Sequence, residues 1–135
     1  MGRSLLILLD THVIVWLAFD ETRISKPAGS AILKARENGE GLAISDISLF
    51  ELARLFNRER LRLAISVESA LAEVERRFAV FPITGQISLR TLSLPKAYPK
   101  DPVDRIIGAT ALVEGIPLIT ANREIRNSRA LPTIW

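Results

Sequence analysis

Five consecutive apolar residues, Leu5–Leu9, run directly into an aspartate, Asp10, and apolar residues resume at Val13. A strand that is apolar at every position has no face for water, so it belongs inside a sheet covered on both sides. An ionised carboxylate at the end of such a strand is costly unless it is paired, hydrogen-bonded or bound to a cation. The feature therefore favours a buried, mostly parallel sheet. It also puts a charged group at the strands' carboxyl ends, where open α/β sheets bind ligands.

The rest of the chain keeps this alternation. Thr11–Phe19 predicts a short apolar helix, and a second helix runs over about Pro27–Glu37, with Ser25 as cap and Gly39 as stop. Leu42–Ser45 (LAIS) is a second strand, followed by helices over about Leu49–Arg58 and Ser66–Arg77. Ala79–Ile83 is an apolar run that Pro82 confines to an edge or an end. Thr84 caps a helix reaching Leu92, and Lys96–Lys100 is a proline-bearing loop. Asp101 caps the clearest helix, Pro102–Glu114, which Gly115 stops. Pro117–Thr120 (PLIT) and Leu131–Trp135 supply the last strands. The alternation predicts a three-layer α/β fold around a mostly parallel sheet, as one domain over residues 1–135.

Composition removes several chemistries. With no cysteine there is no disulfide scaffold, thiolate zinc site, iron–sulfur site or cysteine nucleophile. The single histidine, His12, leaves no His-rich metal site. A net charge of +3 is compatible with a nucleic-acid partner without identifying one. The most apolar stretch, Leu5–Phe19, is interrupted by Asp10 and His12 and is too short to span a bilayer, so a soluble cytoplasmic protein is expected.

The chain has five aspartates, and all but Asp20 follow a strand or open the long C-terminal helix. Asp10 can cap the first helix through the amides of His12 and Val13 while its second oxygen holds a metal. Asp101 and Asp104 read equally as an N-cap and a first-turn acid. Glu51 can pair with Arg54 or Arg58 at helical spacing. Asp46 competes with it as the acid of that segment, and helix periodicity does not choose between them. Hard oxygen ligands from separate segments point to Mg²⁺ or Mn²⁺. The chemistry that fits is phosphodiester hydrolysis with water activated by the ion.

Four segments, in order and with suitable spacing, carry a resemblance. LLDTHVIVWL from Leu8, Ser45-x-x-Ser48-Leu49-Phe50-Glu51, DPVDRIIGATAL from Asp101 and GIPLITAN ending at Asn122 together resemble a PIN-domain protein of the VapC-like toxin type with a D-P-F-D-R motif. The resemblance implies a three-layer α/β/α fold and a Mg²⁺- or Mn²⁺-dependent endoribonuclease acting as the toxin of a toxin–antitoxin pair. By the same resemblance the catalytic, metal-holding acids are Asp10, Glu51 and Asp104. Thr11, Ser45 and Asp101 are their neighbours. Where the family often carries a fourth acid, this chain has Asn122, and where Phe is usual it has Val103.

Arg54, Arg58 and Arg62 recur at helical spacing beyond Glu51, Arg123, Arg126 and Arg129 follow Asn122, and Lys100 precedes Asp101. These cations suit an RNA backbone or an acidic antitoxin segment. Trp16 and Trp135 are read as core or interface residues. An apolar content of 48% and Leu and Phe residues on the helices between Leu49 and Phe78 suggest a homodimer or larger assembly, which the resemblance also implies. The alternative reading is a catalytically weak or inactive PIN-like binding module, and Asn122 is the residue that favours it.

Overall fold

In the computed structural model the described residues are 6–39, 41–59 and 63–135. Leu5 and Arg62 lie outside them. Five short strands form one sheet: β1 (Ile7–Leu9), β2 (Leu42–Ser45), β3 (Ala79–Phe81), β4 (Leu118–Ile119) and β5 (Thr133–Ile134). Their spatial order is β3-β2-β1-β4-β5. Every pairing is parallel, with Leu8 opposite both Ala43 and Leu118. Seven α-helices are described: α1 (Thr11–Phe19), α2 (Lys26–Glu37), α3 (Asp46–Arg58), α4 (Val67–Arg77), α5 (Gly85–Arg90), α6 (Pro102–Glu114) and α7 (Arg123–Ser128).

The pleat divides the core in two. Ile7, Leu9, Leu42, Ile44 and Ile119 face α1–α4, packing on Val13, Ile32, Leu52 and Val74. Leu8, Ala43 and Leu118 face the other way, onto Tyr98, Ile107 and Ile125 from the segment around α6 and α7. Alternate residues of each strand thus serve opposite layers, which is why the strands read as unbroken apolar runs. The result is the expected three-layer α/β/α arrangement, and its sheet is wholly parallel.

Three elements differ from the pattern reading. Helix α3 begins at Asp46, three residues before the predicted Leu49, because the Ser45 hydroxyl accepts from the Ile47 amide at 3.2 Å and caps it. The apolar periodicity starts only after that polar first turn. Helix α7 was not anticipated; the side chain of Asn122 caps it, accepting from the Ile125 amide at 3.1 Å. Elsewhere the predicted caps hold: Ser25 for α2, Thr84 for α5, and Asp101 for α6, which Gly115 ends at φ 68°. The predicted edge run shrinks to β3, which stops before Pro82 and lies at the sheet's end.

The chain leaves β1 toward β2 and β3 on one side, then returns to place β4 and β5 on the other. The order therefore reverses between β1 and β4. A crevice opens at the carboxyl ends of strands at such a switch point.

Candidate functional site

Asp10 stands at that reversal, directly after β1, and only 3% of its surface is exposed. Its Oδ1 accepts from the Thr11 amide at 2.8 Å. The cap thus runs through the adjacent amide and not, as the sequence suggested, through those of His12 and Val13. Its Oδ2 accepts from the Thr120 hydroxyl at 2.6 Å, from the end of β4. Thr120 Oγ1 in turn accepts from the Asn122 amide at 3.0 Å. The two central strands are therefore tied at their carboxyl ends by one carboxylate and one hydroxyl, both buried. Beside them, the Thr11 and Ser48 hydroxyls share a hydrogen bond at 2.9 Å, fastening the start of α1 to the first turn of α3.

Asp104 occupies the first turn of α6, behind the cap formed by Asp101, whose Oδ1 accepts from the Val103 amide at 2.8 Å and the Asp104 amide at 3.4 Å. Burial pushes the Asp104 carboxyl up to about 6, and the negative charges of Asp10, Asp101 and Glu51 push in the same direction, against a smaller opposing effect of His12. Acids from three segments thus share one electrostatic neighbourhood. Its oxygen-only donors and uncompensated negative charge fit a hard divalent cation. Yet among the described residues no three His, Asp or Glu side chains stand close enough to hold an ion unaided. The acids repel one another, and drawing them onto a cation would take side-chain movement.

An open groove of about 660 Å³ passes over this neighbourhood, lined by Thr11 and His12, by Phe50, Glu51, Arg54 and Arg58, and by Asp101 and Val103. Glu51, not Asp46, looks into it. Asp46 faces the other edge of β2, where its Oδ2 accepts from the Ile83 amide at 3.3 Å while its buried Oδ1 has no partner among the described residues. Arg54 and Arg58 are exposed on the groove wall. Lys100 is exposed but opens onto a different cleft, with Lys96 and Arg105. Arg123 is exposed at the start of α7. Arg105, beside Asp104, is turned away, donating to the carbonyls of Pro99 at 3.1 Å and Thr91 at 2.9 Å. Ser45 is fully buried as the α3 cap and Asn122 spends its Oδ1 on the α7 cap, so both hold backbone. Trp16 and Trp135 are half-buried and lie against each other, ring centroids 5.7 Å apart.

Three residues outside the predicted set matter to this geometry: Thr120, Ser48 and Tyr98. The first had a visible signal, a hydroxyl closing an otherwise apolar strand. Tyr98 is 1% exposed and donates from its hydroxyl to the Asp104 carbonyl at 2.6 Å. Burial, first, and the charges of Asp104 and Asp10 push its own pKa up, which keeps it a donor.

The shift at Asp104 fixes a pH dependence. Its folded pKa lies above the ordinary carboxylate value, so the folded state binds the proton more tightly than the unfolded one. The contribution is favourable below about pH 4 and is lost as pH rises through about 6. Metal-free protein should therefore lose about 1 kcal/mol from this group between those limits, after discounting for solvent screening. Asp104→Asn should remove that part of the slope. Denaturant titrations of both proteins across the window check it, and identical slopes would contradict it.

The PIN-domain family pattern matches residues 7–130. Ribonuclease VapC22 of Mycobacterium tuberculosis is 39% identical over 131 residues, covering 96% of this chain and 98% of that protein. Among solved structures, VapBC2 from Rickettsia felis bound to a promoter DNA fragment aligns with TM-score 0.72 at 18% identity, over 95% of this chain and 96% of that one. VapBC-1 from nontypeable Haemophilus influenzae aligns with TM-score 0.67 at 23% identity, over 95% and 96%. A wholly parallel sheet in this order, a family pattern running through nearly the whole chain and a relative 39% identical over almost its full length make this protein a member of the PIN-domain family.

Proposed function

We propose that the protein is a Mg²⁺- or Mn²⁺-dependent endoribonuclease, acting in the cytoplasm as the toxin of a toxin–antitoxin pair. The observation that carries this reading is the acidic charge of Asp10, Asp101 and Glu51 acting on Asp104, beside a groove that also bears Arg54 and Arg58. The similarity to a protein named a ribonuclease supports it, and the VapBC complexes among the structural neighbours support a protein antitoxin as partner.

In this reading Asp10, Glu51 and Asp104 would hold the divalent ion, which would supply Lewis-acid chemistry for phosphodiester hydrolysis by water at neutral pH. The remaining work belongs to the chain. Thr120 and the Thr11 amide orient the Asp10 carboxylate, one on each oxygen. The Asp101 cap and the Tyr98 hydroxyl hold the turn that carries Asp104. Arg54 and Arg58 offer the negatively charged backbone a bidentate partner as it crosses the groove.

Purified protein should cut single-stranded RNA with Mn²⁺ present and not with EDTA. No cleavage, together with no calorimetric heat on Mn²⁺ addition, would favour the inactive binding module instead. That second reading draws on Asn122, an amide already committed to capping. We also propose a homodimer. Among the described large apolar side chains, Phe50 and Ile65 are exposed between Leu49 and Phe78, but Leu89 (69%) and Leu92 (79%), on α5 and the turn after it, are the most exposed. A 15.0 kDa species in sedimentation at micromolar concentration would contradict the dimer.

A further inference from the structure

Helix α3 presents two very different faces. Leu52 and Phe56 are buried in the core, while Phe50 is 57% exposed. Phe50, Arg54 and Arg58 recur every four residues, so they form one stripe, each about 6 Å from the next along the helix. All three line the groove that Glu51 also lines. The Arg54 guanidinium carbon lies 5.8 Å from the Phe50 ring centroid, within cation–π range. Among the described residues neither arginine makes an ion pair.

The core explains none of this. A phenylalanine left in water forgoes the burial its size offers, and two arginines without acidic partners leave positive charge standing beside an acidic cluster. An aromatic ring followed by cations along an open groove is what an unpaired nucleotide needs: a surface for its base and donors for the phosphates that follow. An acidic peptide would use the arginines equally well but has no base for the ring.

We propose that Phe50, Arg54 and Arg58 form a nucleotide subsite, in which the Phe50 ring stacks on one unpaired base of a single-stranded RNA and the two arginines hold its backbone. The proposal rests on the nuclease reading for its choice of RNA. It adds that the strand is gripped through a base next to Glu51, and therefore that unpaired segments are preferred over duplex.

The test is binding, measured in EDTA so that cleavage plays no part. The full-length protein is titrated into a fluorescein-labelled eight-nucleotide oligoribonucleotide, and separately into an abasic ribose-phosphate oligomer of equal length. Phe50→Ala should weaken the base-bearing oligomer about tenfold or more, within the range for lost base stacking, and leave the abasic one unchanged. Phe50→Trp should restore binding, with its added fluorescence quenched by the RNA, and Phe50→Leu should not restore it. Arg54→Ala with Arg58→Ala should weaken both oligomers and flatten the salt dependence. Because Phe50 is on the surface, Phe50→Ala should keep the wild-type Tm, which serves as the folding control. Unchanged binding of the base-bearing oligomer by Phe50→Ala overturns the proposal, and so does equal weakening of both. A change in sedimentation or in antitoxin binding with RNA binding intact overturns it too, assigning Phe50 to a protein interface. These results do not depend on catalysis, so they stand apart from a failure of wild-type protein to cut RNA with Mn²⁺.

Discussion

Asp10→Asn should lower RNA cleavage by at least about 100-fold, since loss even of a group that only supports a metal ligand commonly costs 10–100-fold. The fold should survive. Asparagine caps helices as well as aspartate, and its Oδ1 can keep the bond from the Thr11 amide. The other side is less comfortable. Its amide nitrogen would face the Thr120 hydroxyl, which already accepts from the Asn122 amide. The Thr120 hydroxyl must then rotate, at a cost of about 1 kcal/mol for a weakened buried hydrogen bond. Against that stands the relief of repulsion with Asp104, whose carboxyl the Asp10 charge helps to raise. The two effects are of similar size, so net stability without metal should change by less than about 1 kcal/mol. The same variant should bind Mn²⁺ more weakly and show a shallower pH slope through the Asp104 window. Wild-type ribonuclease activity in Asp10→Asn, with contaminating nucleases excluded, would reduce Asp10 to a helix cap and remove it from the site.

Gly108→Ala should destabilise the protein by about 1–3 kcal/mol, the usual range for overpacking, and lower Tm by several degrees. In an unencumbered helix interior this change helps, by up to about 1 kcal/mol. Here an added Cβ would stand 2.2 Å from the Tyr98 hydroxyl oxygen and 2.6 Å from its ring carbon. The tyrosine cannot swing aside cheaply, because it is buried and its hydroxyl is bonded to the Asp104 carbonyl. The strain falls on the turn that carries Asp104, so Mn²⁺ affinity should fall along with stability. Thermal unfolding of Gly108→Ala alone and with Tyr98→Leu forms a double-mutant cycle. The alanine should cost much less once the ring is gone, whereas additive effects would show that Tyr98 is not what excludes it.

These residues also show where a linear reading stops. Asp101 as cap, Pro102 in the first turn and Gly115 as stop were legible because each acts within a few residues of where it stands. The same holds for the apolar runs, whose burial on both faces follows from their own composition. Asp10 was legible as an anomaly, an acid where the surrounding chain is apolar. Asp46 and Glu51 could not be separated along the helix. The family resemblance chose Glu51, and the structure gives the geometry behind the difference, which depends on the edge of β2 each faces: Asp46 lies against the Ile83 amide and Glu51 lines the groove.

Interactions spanning a turn or two of chain set the succession of elements, most of their caps and the acids at their junctions, and these are written in the residues themselves. The tertiary fold sets the strand order that reverses at β1, the bond from Thr120 to Asp10 across 110 residues, the Thr11–Ser48 clasp and the fit of Tyr98 over Gly108. It also showed that α3 starts early and that Asn122 opens a further helix. The physical reason is common to all of them. A buried hydroxyl, a glycine or an amide has the same local signature wherever it stands, and it acquires a role only from the partner that folding brings to it.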